Sequence, residues 1–248
     1  MLRQHAKQPL TIGYAPTSGI IYPASDRPED IEAARKKYFS MPEDDSNWTW
    51  NVAWWSDPVL LGKYPEEGLK KYEKYLPKIT EKDMRLISEP IDVYGQNIYN
   101  GRAFRMGADG NPEEVGRVPG AGKTAVNWPV TPECLYWGPK FLYERYKKPI
   151  YITENGMACH DVVSLDQRVH DPNRIDFLAR YLHELKRAAE EIDLRGYFQW
   201  SLMDNFEWEK GYAERFGIVY VDFETQERIL KDSAYWYRDV IQTNGRDL

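Results

Sequence analysis

The alternation of short apolar segments with longer amphipathic segments constrains the fold of this 248-residue chain more than any other feature. The apolar segments are rich in β-branched and aromatic residues, as strands are, whereas several of the segments between them carry helix-start signals. Strands separated by helices predict an α/β fold with a parallel sheet. Three principal strands are predicted at residues 10–14, 150–154 and 194–200, and a fourth is predicted within residues 87–98.

The predicted helices occupy the intervals between and after these strands. A proline at the first helical position marks two of them, at residues 28–38 and 172–191, and Asp171 is the expected N-cap of the second. Residues 100–128 are rich in glycine and proline and are predicted to be irregular. Further helices are predicted at residues 48–55, 65–75, 132–147 and 233–241, and a hairpin is predicted from residues 217–223 and 228–231.

The number of strands conflicts with the length of the chain. A complete eight-stranded β/α barrel takes about 250 residues, so the length alone predicts a whole barrel. Only four principal strands are found, because loops and insertions occupy the rest of the sequence. We therefore predict one domain, residues 1–248, that supplies half of a barrel.

Composition and charge restrict the classes of function. The formal net charge of −6 disfavours nucleic acid as a partner, since a phosphate-binding surface needs a basic excess. The sequence has neither an apolar signal segment nor a run of about 18 apolar residues, so no membrane association is predicted. The two cysteines, Cys134 and Cys159, give no disulfide framework, which favours a reducing compartment, and we expect the cytoplasm. The four histidines show no ligand-pair spacing, so neither a metal nor another cofactor is predicted.

The third strand ends on a carboxylate. Residues 150–154 form an apolar, β-branched run that predicts a buried strand, with Glu154 at its end and Gly156 at the turn. A carboxylate in this place must be solvated, paired or functional. The residues alone leave two interpretations open. Glu154 either caps a helix or joins a buried salt bridge, or it lies at a ligand site at the carboxyl end of a parallel sheet.

A second cluster of acids and aromatic residues follows the fourth strand. Residues 196–208 pass from the strand through Trp200 to Asp204, Glu207 and Trp208. Carboxylates accept hydrogen bonds from sugar hydroxyls, and indole rings stack on the apolar faces of sugars. The alternative is an irregular core loop whose acids cap helices. The nine tryptophans and eighteen tyrosines by themselves favour a large core, because buried aromatic residues are common.

Several segments, taken together, resemble a known family. They are residues 151–156 (Tyr-Ile-Thr-Glu-Asn-Gly), 200–208 (Trp-Ser-Leu-Met-Asp-Asn-Phe-Glu-Trp), 211–218 (Gly-Tyr-Ala-Glu-Arg-Phe-Gly-Ile), 56–65 (Ser-Asp-Pro-Val-Leu-Leu-Gly-Lys-Tyr-Pro), 90–97 (Pro-Ile-Asp-Val-Tyr-Gly-Gln-Asn) and 235–237 (Tyr-Trp-Tyr). They resemble the family 1 glycoside hydrolases, in the order of that family. The resemblance implies a TIM barrel, of which this chain supplies about strands five to eight. It also implies a retaining β-glycosidase of the β-glucosidase type, acting on terminal β-linked sugars.

The resemblance also assigns roles to single residues. Glu154 matches the nucleophile of a retaining mechanism, in which the carboxylate forms a glycosyl-enzyme that water hydrolyses. Tyr99 matches a tyrosine whose hydroxyl bonds that carboxylate, and a donor of this kind favours the ionised form. The family has two tyrosines where this chain has Ile98-Tyr99. The implied substrate-binding residues are Asn97, Trp128, Trp200 as a stacking platform, Glu207 as a ligand of sugar hydroxyls, Trp208 and Phe216.

The resemblance further implies that one catalytic group is missing from this chain. Family members carry a general acid/base glutamate in an Asn-Glu-Pro motif of an earlier half, and this chain is expected to begin after strand four. Glu89, in the segment Ser-Glu-Pro, resembles that motif only superficially, because it precedes a strand and would lie at the opposite mouth of the barrel.

The expected partners follow from these implications. They are a β-glycoside or oligosaccharide substrate and, at the exposed strand edges, a second copy or a separate N-terminal half-barrel. The alternative function is a catalytically inactive fragment that binds sugar or serves as an assembly module.

Overall fold

A computed structural model describes residues 2–42 and 50–248 of the chain. The strands are β1 (Gly13–Tyr14), β2 (Ile20–Pro23), β3 (Val93–Asn97), β4 (Gly101–Met106), β5 (Pro112–Val115), β6 (Ile150–Asn155), β7 (Leu194–Gln199), β8 (Val219–Val221) and β9 (Arg228–Leu230). The helices are α1 (Leu2–His5), α2 (Pro28–Phe39), α3 (Val52–Leu60), α4 (Glu66–Lys71), α5 (Glu81–Ile87), α6 (Cys134–Tyr146), α7 (Pro172–Ala189) and α8 (Asp232–Gln242). Short 3₁₀ turns cover Glu73–Tyr75 and Trp208–Lys210.

A four-stranded sheet in the order β1-β3-β6-β7 lies at the centre, and each neighbouring pair of strands is parallel. These are the four principal strands predicted from the sequence, and that prediction is confirmed. Parallel neighbours need long crossover connections, which the helical segments supply. Because the strands run in the same direction, their carboxyl ends meet at one edge of the sheet. Asn97, Asn155 and Gln199 end three of the strands at this edge.

The stretch predicted to be irregular, residues 100–128, contains two strands, and the prediction is wrong there. β4 pairs with β2 in parallel and with β5 antiparallel, so a second, three-stranded sheet forms. These strands mix apolar with charged side chains, and Arg102 and Arg105 bond Glu114 and Glu113 across the pair. Exposed ion pairs of this kind give no apolar run, so the local sequence does not reveal the sheet.

Most of the predicted helices are confirmed, with shifts at their ends. α2 and α7 begin at the prolines expected for them, Pro28 and Pro172. The hairpin of β8 and β9 and the closing helix α8 also lie where they are predicted. α1 and α5 are not predicted. The sequence signal for α5 is the capping box of Thr80 and Asp83 at its start.

The helix predicted at residues 48–55 is displaced toward the C-terminus. It begins at Val52, because Asn51 caps it by accepting a hydrogen bond from the Trp54 amide at 2.7 Å. It continues to Leu60. The predicted start, residues 48 and 49, lies outside the described residues.

The two long helices α6 and α7 pack with β6 in one hydrophobic core. The buried side chains there include Leu135, Phe141, Leu142, Ile150, Ile152, Phe177, Leu178 and Leu182. A fully buried side chain of this type contributes about 1.5–3 kcal/mol relative to an exposed one. Tyr181 of α7 extends this packing to the carboxyl-end edge, since its hydroxyl accepts a hydrogen bond from the Thr131 amide at 2.8 Å and donates one to the Tyr99 carbonyl at 3.1 Å. The helix layer thereby fixes the segment that carries Tyr99.

Three further observations concern the described residues as a set. None of their helices combines the length and the apolar character that a membrane crossing requires. Among them, no three or more His, Cys, Asp or Glu side chains are grouped so that they could hold a metal ion. Both cysteines are free; Cys134 is buried and Cys159 is half-buried.

Candidate active site

Glu154 lies at the carboxyl-end edge of the parallel sheet, near the end of β6. In the register of the two strands it stands beside Asn97, the last residue of β3. Its side chain is half-buried, and its Oε2 accepts a hydrogen bond from the Tyr99 hydroxyl at 2.7 Å. Burial, followed by the bond to Glu154, raises the pKa of Tyr99 well above its usual value, so the tyrosine remains a donor. The two groups form a fixed donor–carboxylate pair.

Asn155 fixes the strand end that carries Glu154 from both sides. Its side-chain amide donates to the Ile98 carbonyl at 2.8 Å, and its side-chain oxygen accepts from the Tyr197 hydroxyl at 2.8 Å. Its backbone carbonyl accepts from the Trp200 amide at 2.7 Å. Neither Asn155 nor Tyr197 is among the site residues predicted from the sequence. The sequence does contain a signal for Asn155, which is a polar residue at the end of a buried strand. Such a residue needs hydrogen-bond partners.

Gly156 allows the turn after β6 to approach the end of β7 closely. A Cβ at this position would stand 1.8 Å from the Trp200 carbonyl oxygen, far inside any contact that a side chain can make. Replacing Gly156 with alanine is therefore expected to displace the strand end and to lower the free energy of unfolding by about 1–3 kcal/mol. Urea denaturation measures the loss.

The control for this substitution is Gly116→Ala. A Cβ at Gly116 would meet nothing within 4 Å, and no left-handed backbone strain is involved. The free energy of unfolding of this variant is expected to stay within about 0.5 kcal/mol of wild type. Equal losses in the two variants would contradict the close packing of the turn against Trp200.

The loop after β7 brings a tryptophan and a second carboxylate to the same edge. Trp200 and Glu207 lie close enough for the indole to act on the pKa of the carboxyl. Burial raises the pKa of Glu207 above its ordinary value; the interaction with Trp200 opposes this shift, and the charges of Glu154 and Glu214 add to it. Glu154 and Glu207 are therefore close enough for their charges to interact. The loop offers a carboxylate acceptor and an indole ring together.

Two aromatic rings, those of Trp128 and Phe216, line the site beside the Tyr99–Glu154 pair. The ring centroids of Tyr99 and Trp128 are 5.1 Å apart, and those of Tyr99 and Phe216 are 6.2 Å apart. The distance between Trp128 and Phe216 is 6.0 Å. Phe216 is buried, whereas Trp128 is 37% exposed and presents apolar surface to solvent. Apolar ring surface next to carboxylates suits a ligand with both C–H faces and hydroxyls.

Two of the predicted site residues lie at the margin of this arrangement. The Asn97 side-chain oxygen accepts a hydrogen bond from the Thr153 hydroxyl at 2.6 Å, which orients the amide beside Glu154. Trp208 begins a 3₁₀ turn and is 80% exposed. Among the described residues, no hydrogen bond or ring contact joins the Trp208 side chain to the other predicted site residues. The structure thus brings the site residues predicted from the sequence together at one edge of the sheet, except Trp208.

Asp204 lies in the interior, although the sequence groups it with Glu207 as a possible sugar ligand. It is buried, and it accepts hydrogen bonds from Lys231 at 2.8 Å and Arg215 at 2.6 Å. A carboxylate held by two cations is not available to a sugar. The interpretation of Asp204 as a sugar ligand is therefore wrong. The local sequence does not show the pairing with Lys231, because Lys231 lies 27 positions away.

Glu89 lies away from the site, as the sequence predicts. It is exposed, and it precedes Val93, the first residue of β3. It therefore lies toward the edge of the sheet opposite Glu154, where residues of such a sheet serve stability rather than chemistry.

Comparisons with known proteins give the family. The sequence profile described as glycosyl hydrolase family 1 matches residues 1–246. The chain is 44% identical over 238 residues to β-glucosidase A of Thermotoga maritima, an alignment that covers 94% of this chain and 51% of that protein. It is 42% identical over 258 residues to a 1,4-β-D-glucan glucohydrolase of Thermotoga neapolitana, with 99% and 56% covered.

A solved structure gives the same result. The β-glucosidase from Thermotoga maritima in complex with castanospermine superposes with a TM-score of 0.80 at 43% identity, covering 98% of this chain and 53% of that chain. The solved family 1 β-glucosidases are TIM barrels. The chain spans about half the length of the curated relatives it matches. Since the family profile matches almost every residue, this chain belongs to glycosyl hydrolase family 1.

Proposed function

We propose that this chain supplies the nucleophile and much of the sugar-binding surface of a retaining β-glucosidase. The observation that carries the proposal is the Tyr99 hydroxyl at 2.7 Å from Glu154 Oε2, at the carboxyl-end edge of the sheet. In the first step, the Glu154 carboxylate attacks the anomeric carbon of a terminal β-linked sugar and the bond from that carbon to the leaving oxygen breaks. The leaving oxygen takes a proton from the general acid/base group; water then attacks the same carbon and returns a proton to that group, which releases the sugar and restores the carboxylate.

The neighbouring residues fit the other requirements of this step. Tyr99 orients the Glu154 carboxylate before the attack, because its hydroxyl donates a hydrogen bond to Oε2. Glu207 accepts hydrogen bonds from sugar hydroxyls, and the ring of the neighbouring Trp200 stacks against the sugar. The remaining roles in this proposal belong to Asn97 in orienting the site, Trp208 in a further hydroxyl contact, and Phe216 and Trp128 in the wall of the site.

The general acid/base is proposed to come from a segment outside these 248 residues. The chain spans about half the length of its curated relatives, which leaves room for such a segment. Of the acids near Glu154 in the described structure, Asp204 is held by Lys231 and Arg215. We assign β1, β3, β6 and β7 to barrel strands five to eight of one domain, residues 1–248.

A nucleophile without its acid/base partner has a specific dependence on the leaving group. In a single-turnover measurement, the purified chain is expected to release dinitrophenolate from a dinitrophenyl β-glucoside, because this group leaves without a proton. Methanol leaves methyl β-glucoside only with acid assistance, which is missing here. The ratio of the rate of dinitrophenolate release to the rate of methanol release is therefore expected to be about 10²–10⁴ times larger in this chain than in a full-length relative. A ratio no greater than that of the relative would contradict the proposal that the acid/base lies outside this chain. Failure to release dinitrophenolate would contradict the nucleophile.

A second candidate function is a non-catalytic fragment that binds sugar or serves as an assembly module. The half length of the chain favours this candidate, because the retaining mechanism uses two carboxylates. The discriminating observation is an N-terminal half with an Asn-Glu-Pro motif, encoded beside this chain or purified with it. Its presence supports the catalytic proposal.

The proposed half-barrel has two open sheet edges. Within the described residues, β1 has only β3 as a neighbour in the central sheet, and β7 has only β6. Unpaired edges invite pairing with another chain, and Phe198 of β7, which is 57% exposed, adds apolar surface there. We therefore expect association with a second copy or with an N-terminal half-barrel. Light scattering should give at least twice the mass of one chain, and a stable monomer would contradict this expectation.

We also propose a reducing compartment, the cytoplasm, as the location of the chain. Both cysteines are free. Free thiols persist where glutathione and thioredoxin keep them reduced.

A further inference from the structure

A buried series of alternating charges joins the two loops of the proposed site. We name it the ion-pair chain, and its members in order are Arg174, Asp161, Lys231, Asp204 and Arg215. Arg174 and Lys231 are fully buried, and the two aspartates are nearly so. The successive N···O distances are 2.7 Å for Arg174–Asp161, 2.6 Å for Asp161–Lys231, 2.8 Å for Lys231–Asp204 and 2.6 Å for Asp204–Arg215.

The ion-pair chain also binds the backbone of both loops. In the loop after β6, the Met157 carbonyl accepts a hydrogen bond from Arg174 at 3.3 Å. In the loop after β7, the Arg215 carbonyl accepts one from the same guanidinium at 2.8 Å. The Gly217 amide donates to Asp204 at 3.0 Å. One continuous set of charged hydrogen bonds therefore sets the distance between the two loops.

Stability alone does not account for this arrangement. Replacing a buried ion network by apolar residues of similar volume is often neutral or stabilising, so buried charge is weak evidence of a stabilising role. Charged hydrogen bonds instead impose a geometry. Lys231 satisfies Asp161 and Asp204 together only when the two loops stand at one separation. The fit is close, because a Cβ at Gly217 would stand 2.2 Å from the Asp204 amide nitrogen.

We propose that Lys231 is a positioning residue that holds the loop bearing Glu207 and Phe216 against β6, the strand that carries Glu154. Lys231 acts through Asp204 and is fully buried away from the sugar-binding surface. The expected effect of Lys231 on sugar binding rests on the proposed function, whereas its expected effect on the position of the loop does not.

The test is Lys231→Met in the full 248-residue chain, with Arg145→Met as the matched control. Arg145 pairs with the buried Asp57 at 2.5 Å near the C-terminal end of α6, so its loss also removes a cation from a buried aspartate, but away from the site. Hydrogen exchange read by mass spectrometry is expected to be about 10-fold faster or more in residues 201–218 of Lys231→Met, while α2 stays within about 2-fold of wild type. Arg145→Met is expected to leave exchange in residues 201–218 unchanged.

Labelling by an activated fluoro-glucoside is the second measurement. In Lys231→Met, the fluoro-glucoside concentration that gives half the maximal labelling rate is expected to rise about 10-fold, because the displaced loop supplies binding contacts. The maximal labelling rate is expected to change by less than about 3-fold. If Lys231→Met does not fold, Asp204→Asn is measured instead, with the same expected results. It keeps an acceptor for the Gly217 amide but weakens the bond to Lys231.

The outcomes separate the two claims. Exchange that rises uniformly along the chain, or equally in Arg145→Met, overturns the positioning role of Lys231. A wild-type chain that takes no label contradicts the proposed function instead, and the exchange comparison still decides whether Lys231 holds the loop.

Discussion

Replacing Glu154 with glutamine is expected to slow formation of the glycosyl-enzyme by about 10⁴-fold or more. The amide has nearly the size of the carboxylate but is no nucleophile, so the bond to the anomeric carbon does not form. The fold is expected to change little, since the half-buried side chain can still accept the hydrogen bond of Tyr99. Release of dinitrophenolate from a dinitrophenyl β-glucoside measures the rate, and a urea titration checks the fold.

Glu209→Gln provides the matched control for this substitution. Glu209 lies in the Trp208–Lys210 turn next to the site, and its side chain is 82% exposed. Its loss is expected to change the rate by less than about 3-fold, because it makes no contact with the reacting groups. If Glu154→Gln retained a rate comparable to that of the control, Glu154 would not be the nucleophile.

Arg174→Met is expected to lower the free energy of unfolding by about 3–5 kcal/mol, the largest stability effect that the structure predicts. Arg174 is fully buried and bonds Asp161 and Asp171, which are buried as well. Methionine fills part of the volume but leaves two buried carboxylates short of a cation. Guanidinium chloride titration measures the loss.

The pH dependence of this effect follows from Asp161. Burial acts to raise the pKa of its carboxyl, but Arg174 and Lys231 together hold it below the ordinary value of 3.8. A carboxyl with a depressed folded-state pKa contributes stability above its unfolded pKa, and this contribution disappears as the pH falls through the folded-state pKa. The difference between wild type and Arg174→Met is therefore expected to be full at neutral pH and to shrink below about pH 4.

Arg180→Met supplies the control on the same helix. Arg180 pairs with Asp176 at 2.7 Å, and both side chains are more than half exposed. An exposed pair of this kind contributes at most about 0.5 kcal/mol. If Arg174→Met cost no more than Arg180→Met, the ion-pair chain would not be a buried, coupled network.

Features that depend on neighbouring residues were accessible from the sequence. The apolar, β-branched run before Glu154 predicts a buried strand, and β6 spans Ile150–Asn155. Proline at the first turn marks the start of α7 at Pro172, because its fixed φ suits that position. Residues 100–128 show the opposite case, because charged side chains on exposed strands give no apolar period.

Features that depend on distant pairing were not accessible. Asp171 occupies the expected N-cap position, yet its carboxylate makes no cap bond to the helix; it bonds Arg174 and the Ser233 amide, the latter at 2.8 Å. Asp161 and Lys231 are 70 positions apart in sequence. No local period or spacing indicates such contacts, so the interior role of Asp204 required the folded structure.

If Glu154 is preorganised as a nucleophile, incubation with an activated fluoro-glucoside changes the mass of the chain. The good leaving group lets the first step proceed without acid assistance, while the fluorine slows hydrolysis of the adduct. The intact mass is expected to increase by one fluoro-sugar, which peptide mapping is expected to locate on Glu154. An unchanged mass, or a sugar attached to any other residue, would contradict the role of Glu154 as the nucleophile.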